Sequence, residues 1–277
     1  MKRMVVILTS IIFLTACSTN SPSSHTDHSQ QHHSTHTDHN QNQSSEQEDH
    51  IKVAYSFKEG KAEANKDTVI QIHVQDEKGK PIERFDTTHE KKLHLIVVSK
   101  DLHYFNHIHP ELKGKGLFEV TTRFPAGGEY KLFSDFVPTG GTATTKSEWV
   151  KVEGKPSASV SIQPDQNWTK SVNGKEITLE TDRLQAGKET MLTFMIKDDQ
   201  TKKPITNLEQ YLGAVGHVVI ITKDTNKYLH VHPMEEKATG PDAKFMTTFP
   251  QRGIYKIWAQ FQHEGKVITV PFVVNVS

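Results

Sequence analysis

The stretch "LHLIVVSKDLHYFNHIHP" (Leu93–Pro110) decides the fold, because the chain writes it twice: "GHVVIITKDTNKYLHVHP" occupies Gly216–Pro233. In the first copy Leu93 to Val98 reads as a strand. Its side chains alternate, so Leu93, Leu95 and Val97 face one way and His94, Ile96 and Val98 the other. Lys100-Asp101 is a turn signal, and a second strand follows from Tyr104 to His109, so the stretch reads as a hairpin. A two-residue loop sets His94 opposite His107, and a four-residue loop sets it opposite His109. Either even length gathers His94, His107 and His109 on one face, since directly opposed residues share a face. A three-residue loop sends His94 to the other side. The same arithmetic in the second copy gathers His217, His230 and His232.

The repeat extends well beyond the hairpin. At a shift of 123, Lys80-Pro81-Ile82 falls on Lys203-Pro204-Ile205, and His107, His109 and Pro110 fall on His230, His232 and Pro233. After two inserted residues, Phe124-Pro125 meets Phe249-Pro250, and Gly128, Tyr130 and Lys131 meet Gly253, Tyr255 and Lys256. Strand-like runs recur between Gly, Pro, Asn and Asp, and no segment sustains a 3.6-residue period. Two copies of some seven short strands predict an all-β protein of two tandem immunoglobulin-like or cupredoxin-like β-sandwiches. One large barrel is the competing arrangement. The expected boundaries are 51–153 for the first sandwich, 154–171 for a linker and 172–277 for the second.

The first fifty residues have a different texture. Lys2 and Arg3 precede an apolar run, Met4 to Leu14, as in a secretory signal. The run is too short to span a bilayer, which takes about 20 apolar residues. It ends in Leu14-Thr15-Ala16-Cys17, which resembles a bacterial lipobox. That resemblance implies removal of residues 1–16 and acylation of Cys17, palmitate included, leaving the protein anchored to the lipid bilayer. Residues 17–50 are rich in Ser, Thr, Gln, Asn, Asp and His, with almost nothing to bury, and read as a disordered tether. His25, His28, His32, His33, His36 and His39 make that tether a candidate for loose metal collection.

Composition narrows the function. Lys+Arg and Asp+Glu stand at 33 each, so there is no basic surface to propose for nucleic acid. Cys17 is the sole cysteine, which rules out an intramolecular disulfide and any thiolate metal ligand in the folded part. No Gly-x-Ser-x-Gly, His-Glu-x-x-His or phosphate-binding glycine loop is present, and the reading is not an enzyme.

Three imidazoles on rigid strands suit a transition metal, copper first and zinc as the alternative. The proline after each H-x-H ends the strand and would hold the pair at a sandwich rim. His103 and Met234 are auxiliary candidates, Met234 because a thioether favours Cu(I). His89, Glu111, Asp135 and Glu235 lie nearby in sequence, while His73 and His263 lack matching histidines and read as structural. Whether the two copies form one site or two stays open, as does a purely structural role for every histidine.

The stretches "HLIVVSKDLHYFNHIHPE" and "FPAGGEYKLFSDFVPTGG" resemble bacterial secreted or lipid-anchored proteins with YtkA-like domains, often encoded beside copper-handling genes. The resemblance covers both repeats and implies a β-sandwich and copper, but no ligand set. No cysteine follows the histidines, so it does not extend to a type 1 blue-copper centre. The expectation is an extracytoplasmic lipoprotein of a bacterial, Gram-positive cell membrane that binds copper ions in copper tolerance or delivery. A metal transporter or envelope protein would be its partner. The alternatives are zinc capture for an importer, an envelope interaction module with structural histidines, and a metal-dependent hydrolase.

Overall fold

The computed structural model describes residues 50–277. The signal, Cys17 and the tether histidines from His25 to His39 lie outside the described residues. Both repeats fall within one compact unit. The first contains β1 (Ile51–Phe57), β2 (Ala62–Glu63), β3 (Asp67–Asp76), β4 (Phe85–Asp86), β5 (Leu93–Ser99), β6 (Phe105–Ile108), β7 (Glu111–Gly114), β8 (Leu117–Arg123), β9 (Gly128–Pro138) and β10 (Thr144–Glu153). The second contains β11 (Thr169–Val172), β12 (Lys175–Thr181), β13 (Glu189–Asp198), β14 (His217–Thr222), β15 (Tyr228–Pro233), β16 (Asp242–Thr248), β17 (Gly253–His263) and β18 (Lys266–Val276). The protein is therefore all-β, with two tandem sandwiches.

In the first sandwich a sheet ordered β1-β3-β8-β7 faces one ordered β2-β10-β9-β5-β6. The second has the same plan, but β15 pairs with both β14 and β16 and so links its two layers. Each sandwich closes on its own core. Ile70, Ile72, Phe118, Leu93, Leu95, Val97, Leu132 and Phe136 meet in the first. Leu192, Phe194, Phe245, Val218, Ile220, Ile257, Phe261 and Phe272 meet in the second. Each also carries a tyrosine corner, a sandwich hallmark. Tyr130 donates to the Ala126 carbonyl at 2.9 Å, and Tyr255 donates to the Gln251 carbonyl at 2.7 Å.

Strands β5 and β14 are buried along nearly their whole length, with no solvent-facing alternate side chains. Leu95 and Val97 fill the first core, while Ile96 and Val98 pack with Val219 and Ile221 of the second repeat in a third apolar cluster. Corresponding faces of the two repeats thus lie against each other. Phe105 stacks on Trp258 with ring centres 4.8 Å apart, and Tyr228 stacks on Phe133 at 5.6 Å. Phe105 corresponds to Tyr228 in the repeat, and Phe133 to Trp258. Exchange of equivalent contacts in this way is the signature of a two-fold interface, here written within one chain. Ile162 joins the same cluster, and Asp165 exchanges hydrogen bonds with Val273 of β18. The end of the connecting segment is therefore fastened rather than loose.

Candidate metal centre between the repeats

Both hairpins adopt the four-residue loop. Ser99 N–H donates to the Tyr104 carbonyl at 3.2 Å, and Thr222 N–H to the Lys227 carbonyl at 3.0 Å. Ile96 then lies opposite His107 and Leu95 opposite Ile108, which carries His94, His107 and His109 onto one face. The sequence reading put that face at an open rim, and the structure corrects it. His94 is 1 % exposed and His107 8 %, because the second repeat covers them.

His217, the first residue of β14, enters the cluster from the other repeat. Candidate ligand nitrogens of His94, His107 and His217 all lie within 4.8 Å of one another. A tetrahedral shell with ordinary metal–nitrogen bonds needs them about 3.3 Å apart. The His94 and His217 rings stack 5.5 Å apart at 13°. The His109 ring stands 4.7 Å from His107 and 5.0 Å from His94, and its Nε2 is buried without a hydrogen-bond partner.

The outer nitrogens are held by oxygen. His94 Nε2 lies 3.0 Å from the Thr88 carbonyl, which can only accept, so this nitrogen carries the proton. His107 Nδ1 lies 2.8 Å from Gln260 Oε1 and donates to it, while Gln260 Nε2 donates to Thr269 at 3.0 Å. With the amide in this orientation, the inner nitrogens, His94 Nδ1 and His107 Nε2, are the unprotonated ones. They face each other at 3.0 Å. At that distance they either share a proton, with the Gln260 amide turned, or both bind a metal ion. Outer N–H groups tied to oxygen, with inner nitrogens converging, are what a metal ion would require of its histidine ligands.

Electrostatics agree with neutral imidazoles. Burial, then the neighbouring His94 and His109, push His107 down to about 3. Burial, then His94 and Lys91, push His109 down to about 4. Asp135, directly across the ladder from His94, brings a buried carboxylate close by. It accepts from Tyr228 of the other repeat at 3.4 Å and from Thr145 at 3.3 Å. Burial and the Asp135 charge together hold the Tyr228 hydroxyl well above its ordinary range.

A tight turn closes the rim. Thr88 and Lys91 exchange backbone hydrogen bonds around His89 and Glu90, whose φ values are 48° and 65°. Both lie in the left-handed region, as in a type I′ turn. This turn supplies the Thr88 carbonyl to His94 and brings the His89 ring within 5.4 Å of His217.

Other sequence candidates stand elsewhere. His103 is exposed at the hairpin turn, with its Nδ1 3.1 Å from the Asp101 carbonyl oxygen. Met234 is 57 % exposed beyond β15. Neither belongs to the cluster among the described contacts. His230 and His232 occupy β15, where His230 pairs with Val219 and His232 with Met246 through the backbone. Glu111 is exposed and paired with Lys113, and His263 is buried near Asn207. Sequence reasoning missed Gln260. The available signal was its alignment with Asp135 at the shift of 125, both residues facing the histidine strand of their own repeat.

The fold and site define a tandem β-sandwich protein with a histidine cluster clasped between its two repeats. A family model described as a domain of unknown function, DUF8832, matches residues 46–154 and again 170–277, and the chain belongs to that family. A search of curated proteins returns no match. Among solved structures, the chain is similar to the Escherichia coli adhesin FdeC, with 19% identity, 82% of this chain and 64% of that chain covered, and a TM-score of 0.26. It is also similar to the bacterial integrin-binding protein invasin, at 12% identity, 82% and 39% coverage and a TM-score of 0.23. A two-domain fibronectin type III segment of chicken tenascin gives 12%, 81% and 98%, and 0.23. The chain thus spans less than two thirds of the length of the first two. These scores are too low for the likeness to say anything about function.

Proposed function

We propose that this protein binds a transition-metal ion, copper by preference, through His94, His107, His109 and His217. The observation that carries the reading is the 3.0 Å apposition of His94 Nδ1 and His107 Nε2, with their outer nitrogens both facing oxygen acceptors. The unpartnered buried His109 Nε2 adds a third donor. The donors are all imidazole, which suits copper and also takes zinc, and copper tops the divalent affinity order. The lipobox at Cys17 and the His-rich residues 18–49 support a lipoprotein on the outer face of a bacterial cell membrane. There it would serve copper tolerance or delivery, with the tether gathering ions and the folded part holding one.

Titration of the purified protein with Cu(II), Cu(I) and Zn(II), with and without residues 18–49, tests this reading. The expected result is several weak equivalents that depart with the tether and a tight one that stays. Loss of all binding on tether deletion sinks the folded site. Tighter retention of Zn(II) than of both copper ions turns the reading toward zinc capture. Separately, Cys17→Ala should release the protein from membranes or leave it unprocessed.

A further inference from the structure

Building on the metal reading above, we infer that the two repeats hold the ion jointly, with Gln260 as a positioning residue, so that ion binding and repeat docking are one event. His94, His107 and His109 come from the first repeat, and His217 comes from the second. The acceptor that fixes the His107 ring, Gln260, also comes from the second repeat, on β17. In return, Tyr228 of the second repeat reaches Asp135 of the first. The site is therefore incomplete in either repeat alone. It lies at one end of the apolar contact made by Ile96, Val98, Val219 and Ile221, so the same docking that buries those side chains assembles the ligands.

Thermodynamic linkage then runs both ways. An ion that binds only the docked arrangement must stabilise docking by its own binding free energy, and anything that loosens docking must weaken the ion. Gln260 acts through His107 and does not touch the ion. Its amide oxygen holds the Nδ1 proton and so turns the Nε2 lone pair inward.

Full-length protein is titrated with Cu(II) and Zn(II), and backbone hydrogen exchange is followed at β5 and β14 with and without the ion. One tight ion per chain is expected, with slowed exchange in both strands. His217→Ala should weaken tight binding at least tenfold, and any remaining protection should be confined to the first repeat. Gln260→Leu, which leaves every histidine in place, guards against simple unfolding of the His217 variant. It should weaken binding severalfold, and Gln260→Glu, which restores an acceptor, should recover it. The inference is overturned if His217→Ala binds as tightly as the wild type. It is equally overturned if the ion slows exchange in β5 alone, or if two independent ions bind, one lost with His107 and the other with His217. These outcomes leave metal binding itself intact. A wild-type protein that binds no tight ion removes the metal reading along with the clasp.

Discussion

His94 Nδ1 lies 3.0 Å from His107 Nε2, and the outer nitrogen of each ring is committed to an oxygen acceptor. A metal ion bound by the two inner nitrogens would take the place of a proton shared between them.

Replacing His107 leaves a cavity and an unpaired Gln260 oxygen in either state, and should cost distinctly more in the loaded protein than in the ion-free one. An ion at 100 times its dissociation constant adds about 2.7 kcal/mol to the stability of the wild type. Each tenfold loss of affinity in His107→Ala removes about 1.4 kcal/mol of that gain. Thermal melts with and without Cu(II) read this directly, at roughly 2–4 °C per kcal/mol for a chain of this size. Equal ion-induced shifts in wild type and variant would mean that the histidines are structural.

Acid should loosen the ion-free protein over a defined window. An unfolded imidazole titrates near 6.5, whereas burial holds His107 at about 3 and His109 at about 4 in the fold. Between those values the unfolded chain binds more protons, so stability falls as pH falls below about 6.5 and levels off toward 3. Above 6.5 these groups contribute no slope. Ion binding to the folded site should likewise persist below pH 6.5, where an ordinary imidazole would already be losing its ligand lone pair. Denaturant melts of wild type and His107→Gln between pH 8 and 4.5 check the point. Identical pH profiles for the two would refute it.

The turn at His89 and Glu90 stores strain. Its counterpart in the second repeat, between Tyr211 and Ala214, holds Leu212 and Gly213 at φ values of 54° and 77°, with glycine at the second position. Glu90→Gly should relieve the first turn and raise stability by roughly 1 kcal/mol. Metal affinity should stay unchanged, since the Thr88 carbonyl keeps its place. A drop in melting temperature would show that the Glu90 side chain matters more than its backbone angle.

Gly216 lets β14 approach β17 beside the site. A Cβ there would meet the Gln260 carbonyl oxygen at 2.6 Å and the Phe261 ring at 2.7 Å. Gly216→Ala should cost roughly 1–3 kcal/mol through overpacking. It should also weaken metal binding, because His217 and Gln260 are the residues it displaces. Unchanged affinity in a destabilised variant would separate the packing of β14 from the site.

The duplication, the hairpins and, for a loop of even length, the shared face of His94, His107 and His109 were legible in the sequence. They follow from local rules: a side-chain period of two, turn residues at fixed places, and a loop of even length. The burial of that face was partly legible. "HLIVV" and "HVVII" carry apolar residues on both sides of their strands, which an antiparallel strand open to water on one face does not need. The conclusion drawn from the sequence was nevertheless an open rim, because no local rule names what lies beyond a strand's outer face.

The tertiary structure alone decided that His217 joins the histidines of the other copy and that Gln260 holds His107 from across the interface. In sequence His107 and Gln260 are 153 residues apart, and no spacing pattern connects them. They meet because Ile96, Val98, Val219 and Ile221 remove their shared apolar surface from water by packing together. The direction of that docking is set by the complementarity of two whole sheets. Which face a side chain takes is local chemistry, written in each strand. Which partner it finds there depends on how distant surfaces fit, and only the folded chain holds that information.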